Sequence, residues 1–452
     1  MQINSLTLVG FRNYREQTLA FDPACNVIHG ENAQGKTNLL EAIVYLSCGK
    51  SPRTRSDREL ITFDGQQARI TGKIFSRDRE FVTDITLQAG RRRKMTVNGV
   101  AAKNAAELSD VLHTVFFCPE DLFLIREGAA ARRKFMDQSL CQLRPRYAQA
   151  LAEYHRLYEH KTRILRDRED NPGLLAMLPD FNERMCRVGA ILIYYRARYC
   201  RALEGYAAPA HEDCSGGREK LTLGYETVKT VLDPFAKTED IARNLREHQE
   251  SHYHAELASG LCLSGPHKDD FIVEVNGRSA RQFCSQGQVR TAALSLKLAD
   301  REIHRSAVGE YPVMLLDDVL SELDPKRQEY VLNRIAGGQV FILLRKRPAG
   351  PPAGGAAVSH PKRGGAFVSY LHIGQNAMIP EKRIIGIFDL DITSQSRRTR
   401  EFLEKAEREG VVVPVTEDIP KSFLVCDHPY HRQIVYISQL NPQTLQKRSR
   451  GE

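Results

Sequence analysis

Short runs of alternating apolar and polar residues open the chain, and INSLTLVGF followed by NVIHG predicts two or three strands over residues 1–45, leading into a loop. The period then becomes helical in ENAQGKTNLLEAIVYLSCG, which puts Leu39, Leu40, Ile43, Val44 and Leu46 on one side. The local order is strand, glycine loop, helix. Residues 69–99 read as a meander of strands with a hairpin turn at Asn98-Gly99. From about Gly128 to His254 the pattern is helical and arginine-rich, which predicts a helical insertion. Strands return with DFIVEVNG, a long helix is expected over about Gly287–Ser306, and YPVMLLDDV is an apolar run ending in acids. Together these elements predict an α/β fold whose sheet is assembled from both ends of residues 1–342.

Beyond that point the character changes. Residues 345–367 hold four prolines and five glycines with no acid and no periodicity. Such a composition buries too little apolar surface to fold and predicts a disordered linker. The acid-free Pro/Gly/Ala/Arg bias over 343–368 is also what G+C-rich coding DNA yields when read out of frame, so a frameshift after Ile342 stands beside a natural fusion. YLHIG, KRIIGIF, SFLVCD and QIVYI then alternate with one amphipathic stretch, predicting a small α+β domain from near Tyr370. The expected organisation is a head in two parts, 1–127 and 256–342, an insertion at 128–255, a junction at 343–369 and a second domain at 370–452.

With 42% hydrophobic and 27% charged residues, the composition excludes a disordered or fibrous chain. No run approaches about eighteen uninterrupted apolar residues, so neither a membrane span nor a signal peptide is expected. The ten cysteines are scattered without a CxxC pair, which fits a reducing, cytoplasmic setting. The net charge of +9 is unevenly spread: Arg334, Arg345, Lys346, Arg347, Lys362 and Arg363 supply +6 in an acid-free stretch, leaving +3 for the rest. That excess is weak support for nucleic-acid binding.

Candidate chemistry lies in three places. Gly30, Glu31, Asn32, Ala33, Gln34, Gly35, Lys36 and Thr37 match G-x-x-x-x-G-K-[ST] between a strand and a helix, with Asn38 next in line. Backbone N–H groups in such a loop turn inward around a polyphosphate, Lys36 reaches the β/γ-phosphates and Thr37 can ligate Mg²⁺. The apolar run VMLL delivers Asp317 and Asp318 at its carboxyl end: Asp317 as a Mg²⁺ ligand, Asp318 as the group that orients or deprotonates an attacking water. The alternative is a strand that simply meets solvent. Ser285, Gln286, Gly287 and Gln288 form a small-residue turn at a helix start, read either as a second anion site or as an ordinary cap.

The order of these motifs resembles the ABC-type P-loop ATPases of the structural-maintenance-of-chromosomes and Rad50 group, and most closely its bacterial RecF family. FRNY at Phe11–Tyr14, GENAQGKTNLLEAI, FFCPEDL, RRKFMD, GPHKDD, SQGQVR and LLDDVLSELD carry the resemblance over about 1–342. It implies an ABC-type ATPase head with a helical arm, binding ATP and Mg²⁺ in an ATP-dependent homodimer where Ser285 and Gly287 of one copy meet the phosphates held by Lys36 of the other. It further implies a slow, DNA-stimulated ATPase acting as a DNA-binding clamp at single-strand gaps and duplex junctions in replication, DNA damage and recombinational repair, helping RecO and RecR load recombinase. Arg12 and Asn13 would lie near the nucleotide, unless they are a polar turn between strands. The arginine-rich helices of 132–168 are either a solvated face or part of an arm closing on duplex DNA.

The sequence departs from that family twice. No glutamine stands where such ATPases contact Mg²⁺ and water, only Glu120 and Asp121 near Cys118. After QVFI the chain reads LLRKRPAGPPAGG in place of a switch residue, last strand and helix. Residues 370–452 resemble the RemA/RemB-like regulators, nearer RemB, through YLHIG, KRIIGIFD and LNPQTLQKRS; Glu417-Asp418 and Lys421 stand where RemA-type proteins carry an arginine cluster. Two rival functions stand beside this reading: a passive DNA-binding adaptor with structural ATP and a regulatory C-terminal domain, and a transporter-type ABC subunit.

Overall fold

The computed structural model describes residues 1–29, 35–54, 56–335, 337–344, 356–359, 370–374, 377–380, 384–393, 396–415, 419–427 and 433–445. Gln2–Phe11 (β1) and Tyr14–Ala20 (β2) form a hairpin, Cys25–His29 (β3) leaves for a second sheet, and Lys36–Cys48 (α1) follows. Gln67–Ser76 (β4), Arg79–Gln88 (β5), Lys94–Val97 (β6) and Val100–Ala101 (β7) complete an antiparallel sheet of order β2-β1-β4-β5-β6-β7. Asn98 (φ 50°) and Gly99 (φ 78°) make the expected tight turn of that meander. Ile3, Leu6 and Leu8 of β1 all face inward although Ile3 and Leu6 are an odd number apart. A register shift between Ile3 and Ser5 against β4 accounts for the change of face.

Ala106–Ser109 (α2) precedes Thr114–Phe117 (β8), and the chain then leaves this unit. Packing divides the protein into Met1–Pro119 with Val308–Glu452, and Glu120–Ala307. The second unit holds Ala129–Leu143 (α3), Pro145–Arg166 (α4), the 38-residue Leu178–Ser215 (α5), Leu221–Glu226 (β9), Thr238–Ser251 (α6), Tyr253–Ser259 (α7), Asp270–Val275 (β10), Arg278–Ser279 (β11), Ala280–Phe283 (α8) and Gln286–Val308 (α9). Its core runs from Leu124 to Ile303, with Phe271 and Val273 of β10 and Leu296 of α9 packed among Leu140, Leu151 and Leu192 of the helices. The unit is therefore wider than the 128–255 span that helical periodicity suggests. A strand also interrupts that span: β9 pairs with β10, and its alternating Leu221, Leu223 and Tyr225 join the core.

Back in the first unit, Val313–Asp317 (β12), Pro325–Arg334 (α10) and Val340–Leu344 (β13) follow, and with Ala356–Ser359 (β14) they complete a parallel sheet of order β14-β3-β13-β12-β8. Val313, Met314, Leu315 and Leu316 are all buried, as a strand covered on both faces requires. Helix α1 touches β4 and β5 of one sheet and β8, β12 and β13 of the other. The buried Gln339 side chain links the layers, accepting from the Ile3 amide at 2.7 Å and donating to the Ile3 and Asp22 carbonyls at 2.9 and 2.8 Å. The outer strand, Ala356–Ser359 (β14), pairs in parallel with β3 and comes from within the 343–369 junction, whose 345–355 and 360–369 lie outside the described residues. The position of a last strand is thus taken by residues that carry no strand signal in the sequence.

The C-terminal region has its own elements. Tyr370–Gly374 (β15) and Ala377–Pro380 (β16) pair as a hairpin. Ile384–Asp389 (β17), Leu390–Thr393 (α11), Arg397–Arg408 (α12), Val412–Pro414 (β18), Ser422–Cys426 (β19) and Ile434–Ser438 (β20) follow, with sheet order β17-β19-β20-β18. Phe402, Leu403 and Ala406 of α12 cover Phe423, Val425 and Val435. Strands β16 and β18 were not expected from the alternation. Among the described residues no helix is long and apolar enough to cross a membrane.

Candidate functional site

Of the glycine loop, Gly30 through Gln34 lie outside the described residues, and the site is built from Gly35 onward. Gly35 has φ +90°, and a Cβ there would lie 2.3 Å from Asn13 Oδ1. Only glycine fits both the backbone and that approach. Tyr14 donates its hydroxyl to the Gly35 carbonyl at 3.0 Å, and burial pushes this phenol well above its ordinary pKa, keeping the donor proton in place. The turn between β1 and β2 thus grips the end of the loop where α1 begins.

Lys36 and Thr37 open α1, whose first amides have no partners within the helix. Buried Lys36 donates from Nζ to the Leu344 carbonyl at the end of β13, 3.2 Å away. Thr37 Oγ1 reaches Asp317 Oδ1 at 3.3 Å, joining the start of α1 to the carboxyl end of β12. Adjacent ligands of an octahedral Mg²⁺ at about 2.0–2.1 Å stand roughly 2.9 Å apart, so this oxygen pair has close to the spacing the ion needs. Asp318 turns the chain with φ 58°, and its Oδ1 accepts from Ser321 Oγ at 3.0 Å. Lys36, Thr37, Asp317 and Asp318 therefore meet at one corner of the parallel sheet.

Arg12 and Asn13 sit beside that corner with partners of their own. The Arg12 guanidinium makes a two-point pair with Glu41 of α1, at 2.9 and 2.8 Å, and donates to the Glu59 carbonyl at 2.8 Å. Asn13 Oδ1 accepts from Asn38 Nδ2 at 2.9 Å, and Asn38 Oδ1 accepts from Arg53 at 3.0 Å. The residue that sequence reasoning missed here is Glu41, buried to 1% exposure. Its signal was an acid amid the apolar positions of LLEAIVYL.

In the second unit, Ser285 and Gln288 cap α9 reciprocally: the Ser285 amide donates to Gln288 Oε1 at 2.9 Å, and the Gln288 amide to Ser285 Oγ at 3.3 Å. Gln288 also donates to Glu219, which pairs with His211 at 3.0 Å. Ser285 and Gln286 are exposed, so the cap presents a polar helix start at the surface of its unit. Asp121, one of the two acids standing where a glutamine was sought, is engaged by buried Lys297 at 3.0 Å.

The RRKFMD and GPHKDD motifs prove to be partners. Arg132 makes a two-point pair with Asp270, both bonds at 2.7 Å, and also donates to the Leu124, Ile125 and Glu127 carbonyls. Buried Arg196 of α5 bridges Asp137 and Asp269, while Tyr225 and Thr227 donate to Asp269. This network ties α3, α5 and the β9–β10 sheet together. His267 accepts a place between Tyr154 and the Cys262 carbonyl, and burial pushes its pKa down to about 4. Of the arm cations, Lys161 is buried against Glu256 at 2.6 Å, whereas Arg163 and Arg166 are 75% and 72% exposed.

A glycine loop that ends in Gly-Lys-Thr at a helix start, with a parallel strand bringing paired aspartates beside it, defines a P-loop ATPase head of the ABC type. Residues 2–344 match the RecF/RecN/SMC N-terminal domain family, and the chain belongs to that family and, within it, to the RecF DNA replication and repair proteins. It is 37% identical to the DNA replication and repair protein RecF of Clostridium kluyveri over 342 residues, covering 76% of this chain and 92% of that protein. Against the RecF of Bacillus subtilis the identity is 38% over 347 residues, with the same coverages. The solved RecF-ATPrS structure of the recombination mediator protein RecF in the RecFOR pathway superposes with TM-score 0.72 at 32% identity, over 76% of this chain and 93% of that one. Residues 370–448 match the extracellular matrix regulatory protein A-like family, RemA-like.

Proposed function

We propose that this protein is an ATP-dependent DNA-binding clamp of recombinational repair, a slow Mg²⁺-dependent ATPase that DNA stimulates. The observation that carries this reading is the meeting of Thr37 Oγ1 and Asp317 Oδ1 at 3.3 Å beside Lys36. Lys36 exchanges the Leu344 carbonyl for the β/γ-phosphates, which the α1 amides also face. Thr37 and Asp317 are the residues to hold Mg²⁺, which when bound neutralises charge on the phosphates. Asp318 orients or deprotonates the water that attacks the γ-phosphoryl group. Ser285 and Gly287 at the exposed start of α9 reach the phosphates held by a second copy, so ATP joins two chains and hydrolysis releases them.

Duplex and gapped DNA, with RecO and RecR, are the proposed partners, in keeping with the RecFOR pathway named for the solved relatives. The exposed Arg163 and Arg166 supply phosphate contacts on the arm. The test is a pair of variants. Lys36→Ala is expected to lose ATP binding, measured by titration with a fluorescent ATP analogue, and Asp318→Asn to keep binding while hydrolysis slows. Normal hydrolysis by Asp318→Asn would remove that residue from its assigned role, and retained binding by Lys36→Ala would remove the nucleotide site itself.

A further inference from the structure

Around the start of α1 five residues close into a ring, braced by a sixth, Ser51. Glu41 holds Arg12 at two points, Arg12 precedes Asn13, Asn13 accepts from Asn38, Asn38 accepts from Arg53, and Arg53 returns to Glu41 at 3.8 Å. Ser51 braces the ring by donating to Glu41, and its Oγ also accepts the Arg53 and Thr54 amides at 3.0 Å each. One buried carboxylate thereby fixes two loops, the β1–β2 turn and the segment after α1. The product of that fixing is the position of the Asn13 amide, directly over Gly35 where a Cβ would not fit.

We propose that Glu41 and Arg12 are positioning residues for the nucleotide site: their ion pair seats Asn13 across Gly35 and sets the loop exit that phosphate binding requires. Arg12 is then a staple, not a phosphate ligand. Three observations support this assignment. Both bonding edges of the guanidinium are in use, on Glu41 and on the Glu59 carbonyl. Arg12 adopts φ 54°, a left-handed conformation rarely taken by residues with a side chain, which the surrounding contacts must hold. Glu41 is buried to 1% exposure, and removing its cation would leave a buried carboxylate short of its partner.

The proposal rests on nucleotide binding at this site, and the experiment separates the two. ATP affinity, KM and kcat are measured on the full chain for wild type, Arg12→Ala, Glu41→Gln, the double variant and Asn13→Ala, alongside each thermal midpoint. Both single variants of the pair are expected to weaken ATP binding by about tenfold or more, the scale of a lost charge-assisted bond. The double variant should be no worse than either, the loss should fall on KM more than kcat, and Arg12→Lys should restore part of it. Asn13→Ala should weaken binding with the pair and the thermal midpoint intact, which carries the test should Glu41→Gln not fold. If Arg12 were instead a phosphate ligand resting on Glu41, Glu41→Gln would free it and binding would hold or tighten; that result overturns the proposal, as does unchanged affinity in Asn13→Ala. Absence of ATP binding by the wild type would sink the nucleotide site and leave the staple without a role to play.

Discussion

Thr37 and Asp317, 280 residues apart in the chain, stand 3.3 Å apart at the corner where the start of α1 meets the carboxyl end of β12. Two short-range facts bring them there: Gly35 lets the chain turn into α1, and the apolar run Val313–Leu316 drives β12 between β13 and β8 of the parallel sheet. If the pair shares one ion, Asp317→Ala should abolish the Mg²⁺ dependence of ATP affinity, and Thr37→Ala should weaken it in the same direction. Titration of the fluorescent analogue with and without Mg²⁺ checks this, and an unaltered Mg²⁺ effect in Asp317→Ala would place the ion elsewhere.

Arg163 and Arg166 flank Asp167 at 3.8 and 2.9 Å on the exposed side of α4. Surface pairs of this kind contribute little, so both cations stay available to an incoming phosphate backbone. Arg163→Ala and Arg166→Ala should each lower duplex affinity equally for all sequences and flatten the plot of log K against log salt by about one phosphate contact. Binding curves in a salt series measure this. A loss confined to one sequence would point to base reading instead.

Acid should destabilise the second unit. Burial holds His304 down to about 3 and His267 to about 4, while in the unfolded chain both take a proton near the ordinary histidine value of roughly 6.5. Below that value the unfolded state binds more protons, so stability falls as pH drops from about 6.5 toward 4, by about 1.4 kcal/mol per pH unit for each histidine. Urea midpoints between pH 7.5 and 5 measure the slope. His304→Gln should make it shallower, and an unchanged slope would mean that this ring is not neutral in the folded protein.

How far the sequence could be read depended on whether a signal was local. The Gly35-Lys36-Thr37 start of α1, the Asn98-Gly99 hairpin and β12 are written in consecutive residues, and they appear as expected. The pairing of Arg132 with Asp270 and of Arg196 with Asp137 and Asp269 is not, because it joins residues up to 138 positions apart through folding alone. GPHKDD could be recognised as a motif, but its task became visible only with its arginines beside it. Strand β9 was hidden because its six residues, although Leu221, Leu223 and Tyr225 alternate, form a short run inside an otherwise helical, arginine-rich stretch. Glu41 was legible in principle as a charge on a buried helix face, yet its partner Arg12 belongs to a turn that read equally well as mere surface.

The junction calls for a check outside the protein. If residues 343–368 arose from a frameshift, another reading frame of the coding DNA over this stretch should encode an ATPase-like strand and switch residue before a stop codon. Finding neither frame to do so would establish a true fusion, with Ala356–Ser359 as a strand the linker supplies to the sheet.

The proposed clamp requires ATP to join two copies through Lys36 of one and the Ser285 turn of the other. Light scattering of Asp318→Asn with and without Mg-ATP tests it most directly. The predicted result is a mass of 51.1 kDa alone and twice that with Mg-ATP, the shift being lost in Ser285→Arg. A mass that stays at 51.1 kDa while ATP is demonstrably bound would contradict the clamp and leave a monomeric adaptor in its place.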